Sequence, residues 1–270
     1  MKKNYASILI TNYNKEKYIK HTINSCLKQN FKKKEILVFD DFSSDGSLKI
    51  LKSYNKKIKL IKNKKKKFRN APLNQIYGLV KLFNKSKGEI IFLLDGDDTF
   101  KKNKLSFISN LFLKNKNLEF IQDTPFLTNS NKLMYLEPKK HHYSIWPRFH
   151  PTSCIAFKRK FFLNFLKFLE KNKYPNLEID ARLSIFAFQK NKFFIIKKSL
   201  TNYNYDKSGI SSRYNKFSIS WWKKRNEAFD YLMILNRKLK IKFYYSIDYF
   251  LTKLINFFIK FNNHIFNKYF

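Results

Sequence analysis

The stretch Lys87-Gly88-Glu89-Ile90-Ile91-Phe92-Leu93-Leu94-Asp95-Gly96-Asp97-Asp98 decides how this chain folds. Its apolar run from Ile90 to Leu94 is short, unbroken and rich in β-branched and aromatic side chains. It predicts a strand over 89–94, buried on both faces. The run ends abruptly in Asp95-Gly96-Asp97-Asp98. Two carboxylates one residue apart, Asp95 and Asp97, can face a divalent cation from a strand end, and their hard oxygens suit Mg²⁺ or Mn²⁺. An Asp-x-Asp triplet by itself is often a solvated turn, but its position directly after a buried strand favours the cation.

The same grammar extends upstream. Residues 6–11 predict a buried strand. Ile19, Ile23, Cys26 and Leu27 recur at helical spacing over 18–29. A second strand over 35–40 ends in Asp40-Asp41. Ser43-Ser44-Asp45-Gly46 is turn chemistry that opens a short helix to residue 54. A strand over 58–61, an exposed lysine loop over 64–67 and a helix over 72–87 with Pro in its first turn follow. Strands alternating with helices predict an α/β fold: a mostly parallel sheet flanked by helices on both faces. Ligands of such sheets sit beyond the carboxyl ends of the strands. Three polar clusters fall at those ends: residues 11–14, Asp40-Asp41, and residues 95–98. Their coincidence is the physical argument for a binding site.

Downstream the pattern loosens. It predicts helices over 104–114, 161–171 and 179–189, and strands over 118–123, 150–157 and 193–196. Residues 124–138 suit a hairpin or an irregular loop. No repeat or Pro/Gly-rich linker appears. We therefore expect a catalytic domain over 1–214 (1–100 on the nucleotide side, 101–214 on the acceptor side) and a helical C-terminal tail over 215–270.

Composition bounds the function. Apolar residues at 44% allow a sizeable core. The net charge of +37 invites a nucleic-acid partner. Lysine far outnumbers arginine throughout, however, and no arginine stripe or RNA-binding aromatic motif occurs, which disfavours that partner. A basic surface still attracts nucleoside diphosphates and acidic lipid headgroups. Cys26 and Cys154 lack pair spacing, which suits a reducing compartment. The apolar residues after Met1-Lys2-Lys3 are too few for a signal peptide, and no run is long enough to span a bilayer. The expectation is a cytoplasmic chain, with a peripheral position on the inner face of the plasma membrane open to it.

Three segments carry a resemblance to a known family. They are residues 7–14 with Glu16, then Val38-Phe39-Asp40-Asp41-Phe42-Ser43-Ser44-Asp45-Gly46-Ser47, then residues 87–98. In this order and spacing they resemble family 2 glycosyltransferases of the GT-A fold. The resemblance covers 5–100 and continues more weakly through 150–161, 178–183 and 205–211. It implies an inverting, non-processive transfer of sugar from a nucleotide-diphosphate sugar to an acceptor hydroxyl, assisted by Mn²⁺ or Mg²⁺, in cell-envelope polysaccharide or lipopolysaccharide synthesis. It implies that Thr11, Tyr13 and Glu16 line the nucleotide pocket, that Tyr13 stacks on the base, and that Asp41 bonds the base edge. Asp95 and Asp97 would serve the metal, and Asp95 the donor as well. Asp98 would cap or buttress, and Asp40 would support its strand end. The base is matched by Asp180 in Glu178-Ile179-Asp180; the competing role for both acids is favouring a helix N-terminus.

The chain departs from the family pattern in places. Phe42 stands where Gly is usual. Residues 68–78 replace an Arg-Asn segment, leaving Arg69, Asn70 and Asn74 as open candidates to reach the nucleotide. No Gln-x-x-Arg-Trp stretch occurs, which argues against processive synthases. His141-His142 reads as a loop, and His150 is a lesser donor-side candidate. A nucleotidyltransferase competes as a function, but residues 11–17 lack the Gly-rich phosphate loop it would need. A non-catalytic nucleic-acid binder is the third class. Residues 244–270 form an apolar stripe with scattered lysines, which suits either an anionic membrane, where a lipid-linked acceptor would be found, or packing on the protein.

Overall fold

The computed structural model describes residues 2–136, 147–205 and 215–269, with side chains over 5–136, 147–205 and 215–261. The first half alternates strand and helix: β1 (Lys2–Asn12), α1 (Glu16–Leu27), β2 (Lys34–Asp40), α2 (Ser47–Ser53), β3 (Lys59–Lys62), α3 (Ala71–Lys85) and β4 (Gly88–Asp95). The second half runs β5 (Thr99–Phe100), α4 (Lys104–Lys114), β6 (Phe120–Leu127), β7 (Lys132–Leu133), β8 (Ile155–Lys158), α5 (Arg159–Leu166), α6 (Ile179–Gln189), β9 (Ile195–Tyr203), α7 (Ile219–Leu239) and α8 (Ile247–Tyr269).

The strands form a single sheet in the order β3-β2-β1-β4-β8-β6-β9-β5, with β7 paired to β6. The long ladders β1–β2, β1–β4, β2–β3 and β6–β9 are parallel. The short ladders on β8, β5 and β7 are antiparallel. The fold is thus the mostly parallel α/β sheet expected, with helices on both faces. Alternation along each strand deals successive side chains to opposite layers. Leu9, Leu37, Phe39, Ile91 and Leu93 pack with α3, α5, α6 and α7. Ile8, Ile10, Val38, Phe92 and Leu94 pack with α1, α2 and α4. The unbroken apolar runs follow from this double burial.

Local differences from the sequence expectation have local causes. Pro151 precedes a 3-10 turn at Thr152–Cys154, so β8 begins only at Ile155 rather than spanning 150–157. Helix α5 stops at Leu166, not Lys171, and residues 167–178 form a loop clamped by Arg182. The buried guanidinium of Arg182 donates to the carbonyls of Glu170, Lys173, Tyr174 and Leu177. Strand β6 runs on past Pro125 to Leu127, with a register shift against β9 where that proline has no N–H to give. The alternative left open for residues 124–138 takes the form of a hairpin between β6 and β7 as far as residue 136, and the rest lies outside the described residues. The two-residue β5 has too little sequence to announce itself.

Helix α7 belongs to the core. Ala228, Tyr231, Leu232 and Leu235 join the larger apolar layer, and the Tyr231 hydroxyl donates to the Arg182 carbonyl. Helix α8 lies antiparallel along α7, with Phe229 edge-on to Tyr249 and Asn256 donating to the Trp222 carbonyl. Among the described residues no helix is long and apolar enough to cross a membrane.

Candidate active site

Parallel pairing sets the carboxyl ends of β2, β1 and β4 side by side. Asn12 is in register with Asp40, and Thr11 with Asp95. The chain leaving β2 is tied to β1 by Asp41 N–H donating to the Asn12 carbonyl at 2.9 Å. The chain leaving β4 is tied the same way, Gly96 N–H to the Thr11 carbonyl at 2.9 Å. Thr11, Asp41 and Asp95 therefore line one rim.

Asp40 is consumed in holding this rim. Its carboxylate accepts from Asn12 Nδ2 at 2.8 Å and from the hydroxyl and N–H of Ser43. Asp41 is left for the cleft. It accepts from Asn63 Nδ2 at 3.1 Å, and burial raises its pKa. Tyr13 projects from the β1–α1 loop, 41% exposed, with Lys66 Nζ 3.7 Å from its ring centroid. A planar group entering beside Asp41 would meet this ring face. Glu16 sits instead at the start of α1, where its carboxylate accepts from Gly46 N–H at 2.9 Å and pins the β2–α2 turn. Phe42 takes φ 60°, a left-handed conformation that costs a residue with a Cβ and explains why Gly is usual there.

Asp95 is the centre of the arrangement. Its Oδ1 accepts from Thr11 Oγ1 at 3.0 Å and Gln75 Nε2 at 2.8 Å, and its N–H donates to Ser153 Oγ. Desolvation and the neighbouring Asp97 push its pKa up to about 6. Asp97 pairs with Lys15 Nζ at 2.6 Å. Asp98 is buried and turned away. It accepts from Ser153 Oγ and from Asn204 N–H at 2.7 Å, and burial plus Asp97 and Asp95 raises its pKa well above the ordinary range. A Cβ on Gly96 would lie 2.6 Å from Asn12 Oδ1 and 3.3 Å from the Thr11 carbonyl, so this turn admits only glycine.

Across the cleft, Asp180 opens α6. Its pKa is raised to about 7, by desolvation first and then by Glu178. Asp95 is close enough to add to that rise, so the two carboxylates face a common space. Glu178 is spoken for on one side by Lys224 of α7 at 2.6 Å, while its Oε2 is buried with no hydrogen-bond partner. His150 is fully buried, both ring nitrogens lack a hydrogen bond, and burial lowers its pKa to about 4. His141-His142 and residues 206–211 lie outside the described residues.

Several contributors escape sequence reading. Of the three candidates in the 68–78 segment, Asn74 is buried and bonded to the Phe68 N–H and carbonyl, closing the loop before α3. Its neighbour Gln75 reaches Asp95. Ser153 bridges the Asp95 N–H and the Asp98 carboxylate from a turn more than fifty residues away. No spacing rule links these positions.

A cation suits the site on its donor chemistry. Asp95 and Asp97 offer hard oxygens, and each disfavours the other's ionisation unless positive charge intervenes. An ammonium already sits on Asp97. Among the described residues no group of three or more His, Cys, Asp or Glu could hold a metal alone.

Comparison with known proteins agrees with this geometry. The model of glycosyl transferase family 2 matches residues 7–177, and the chain belongs to that family. It is 33% identical over 146 residues to the UDP-Glc:alpha-D-GlcNAc-diphosphoundecaprenol beta-1,3-glucosyltransferase WfgD of Escherichia coli. That alignment covers 52% of this chain and 53% of the relative, so the chain spans about half the length of the curated relative it matches. Its fold resembles that of S. aureus TarS 1–349 in complex with UDP-GlcNAc, at TM-score 0.58 and 16% identity over 88% of this chain and 76% of that one. It also resembles the mannosyltransferase PcManGT from Pyrobaculum calidifontis in complex with GDP-Man and Mn²⁺, at TM-score 0.59 and 14% identity over 84% and 64%.

Proposed function

We propose that this chain transfers a sugar from a nucleotide-diphosphate sugar to an acceptor hydroxyl with inversion at the anomeric carbon, in the building of a cell-envelope glycan. The observation that carries the proposal is the pair of carboxylate sets on opposite sides of one cleft: Asp95 and Asp97 at the end of β4, and Asp180 at the start of α6. Residues 1–214 form the catalytic unit, with α7 completing its core.

The donor base lies against Tyr13 with Asp41 accepting from its edge, and Thr11 and Gln75 hold Asp95 toward the ribose and diphosphate. Glu16 contributes by fixing the loop that presents Tyr13. Asp95 and Asp97 would hold Mn²⁺ or Mg²⁺, with phosphate oxygens completing the shell. When bound, such an ion supplies Lewis-acid stabilisation of the departing diphosphate. Asp180 Oδ accepts the proton of the acceptor hydroxyl. The hydroxyl oxygen forms a bond to the anomeric carbon as the carbon–oxygen bond to diphosphate breaks, and the nucleoside diphosphate leaves with the electron pair. The half-ionised carboxylate is well matched to proton abstraction near neutral pH. The acceptor is a glycan or a lipid-linked sugar, and the tail brings the enzyme to the inner face of the plasma membrane.

The test is a screen of UDP- and GDP-sugars for binding and slow hydrolysis, with and without Mn²⁺. Saturable binding that strengthens with the ion supports the reading. No binding of any nucleotide sugar under either condition overturns it.

A further inference from the structure

Helix α8 is amphipathic in the inverted sense. Thr252 and Asn256 are buried toward α7, and Asp248 pairs there with Arg225. Lys253 reaches Asp230 on the same side. These positions recur every four residues and form the polar stripe. The opposite stripe, at spacings of three and four, is Ile247, Phe250, Leu251, Leu254, Phe258 and Phe261, each 47–78% exposed. A soluble helix points such residues at its core. Here they face outward, on a chain whose core is already closed by α7. A contiguous apolar surface of this kind marks a binding face.

Charge identifies what covers it. From residue 240 to the C-terminus the chain has one acidic residue, Asp248, and that is the one turned inward. Lys242 and Lys260 stand exposed near the two ends of the stripe, and Lys216 and Lys223 near the start of α7. Aromatic and aliphatic side chains flanked by lysines, without acids, fit the headgroup–acyl boundary of an anionic bilayer. A second copy, at net charge +37, would bring the same lysines against these.

We propose that the outward face of α8 docks in the plane of an anionic membrane. The position has a consequence for the acceptor. The α7 turn that packs on α8 through Trp222 and Arg225 also carries Lys224 to Glu178, two residues before Asp180. A bilayer under α8 therefore lies one helix away from the acceptor side of the cleft, and delivers a lipid-borne acceptor there. This last step rests on the sugar-transfer reading; the docking itself does not.

The full chain is sedimented with vesicles of phosphatidylcholine alone or with 30 mol% (about one third) phosphatidylglycerol, alongside the triple variant Phe250→Ser, Leu254→Ser, Phe258→Ser. We expect binding at least about tenfold tighter to the anionic vesicles, weakened by salt, and lost by at least about tenfold in the triple variant. Circular dichroism and nucleotide-sugar affinity report whether the variant keeps its fold, and the single substitution Leu254→Lys serves if it does not. Equal partitioning of wild type and folded variants overturns the proposal. So does light scattering that shows a dimer dissolved by these substitutions without vesicle binding. Docking with no nucleotide-sugar affinity would leave α8 assigned and the transferase reading refuted.

Discussion

At the scale of single residues, the chemistry turns on where carboxylates are desolvated. Asp180→Asn keeps shape and hydrogen bonding but loses basicity. Transfer should fall roughly 10²-fold or more while donor affinity stays near normal. A near-wild-type rate would move the base elsewhere, with Glu178 next to test. In the wild type, kcat should climb with pH toward about 7 as Asp180 ionises. Stability should move the other way. In the unfolded chain Asp180 ionises near about 3.9. Below that both states hold the proton, and the group is neutral in effect. Between about 4 and 7 the unfolded chain has released its proton while the folded one retains it, so stability is lost as pH rises through that window. Melting curves of Asp180→Asn should match wild type near the bottom of the window and exceed it above the top. Asp97→Asn tests the other side of the cleft: UDP affinity should drop chiefly when Mn²⁺ is present, and chelator should abolish wild-type transfer. Full activity in excess chelator would remove the ion from the mechanism.

At the scale of elements, close packing sets the rim. Helix α3 lies on β2 so closely that a Cβ on Gly78 would sit 2.3 Å from the Phe39 ring. Gly78→Ala must therefore push α3 outward, taking Gln75 away from Asp95. Overpacking of this kind costs about 1–3 kcal/mol. Calorimetry should show a lowered Tm, and titration a weaker nucleotide affinity. An unchanged Tm with unchanged affinity would show that the α3–β2 contact does not hold the site. The helices were legible because their apolar stripes repeat; α4 and α6 match the expected bounds. The 3-10 turn carrying Ser153 was not, since Pro151 and a buried Thr-Ser-Cys run look like the strand they precede.

For the whole molecule, a buried charge network joins the two halves of the sheet. Lys104 of α4 and Asp123 of β6 are both fully buried, 2.6 Å apart. Lys104 also donates to the Ser153 carbonyl and the Thr201 hydroxyl, and Thr201 donates to Asp123. Ser153 carries the network on to Asp95 and Asp98. Lys104→Met leaves Asp123 unpaired in the core, a loss of roughly 3–5 kcal/mol. Denaturant unfolding should show that loss, and the double variant Lys104→Met, Asp123→Leu should recover much of it. If the single variant is as stable as wild type, the network is not holding the halves together.

The sequence by itself determined the α/β architecture and the three acidic strand ends, because a doubly buried strand must be apolar throughout and must stop where charge begins. It also carried the resemblance on which Asp41, Asp95, Asp97 and Asp180 were singled out. Tertiary structure alone decided which of those groups are free. Asp40 is spent on Asn12 and Ser43, Glu16 on Gly46, and Asn74 on its own loop, while Gln75, Ser153 and Lys15 converge on the carboxylates from distant segments. It also decided which face of α8 looks outward. The apolar stripe is plain in the sequence, but the direction it faces depends on where α7 offers partners for Asp248, Thr252 and Asn256. The physical reason is range. Periodicity and burial act along a few turns of chain, whereas a hydrogen bond's partner is chosen by which strands and helices happen to be packed beside it.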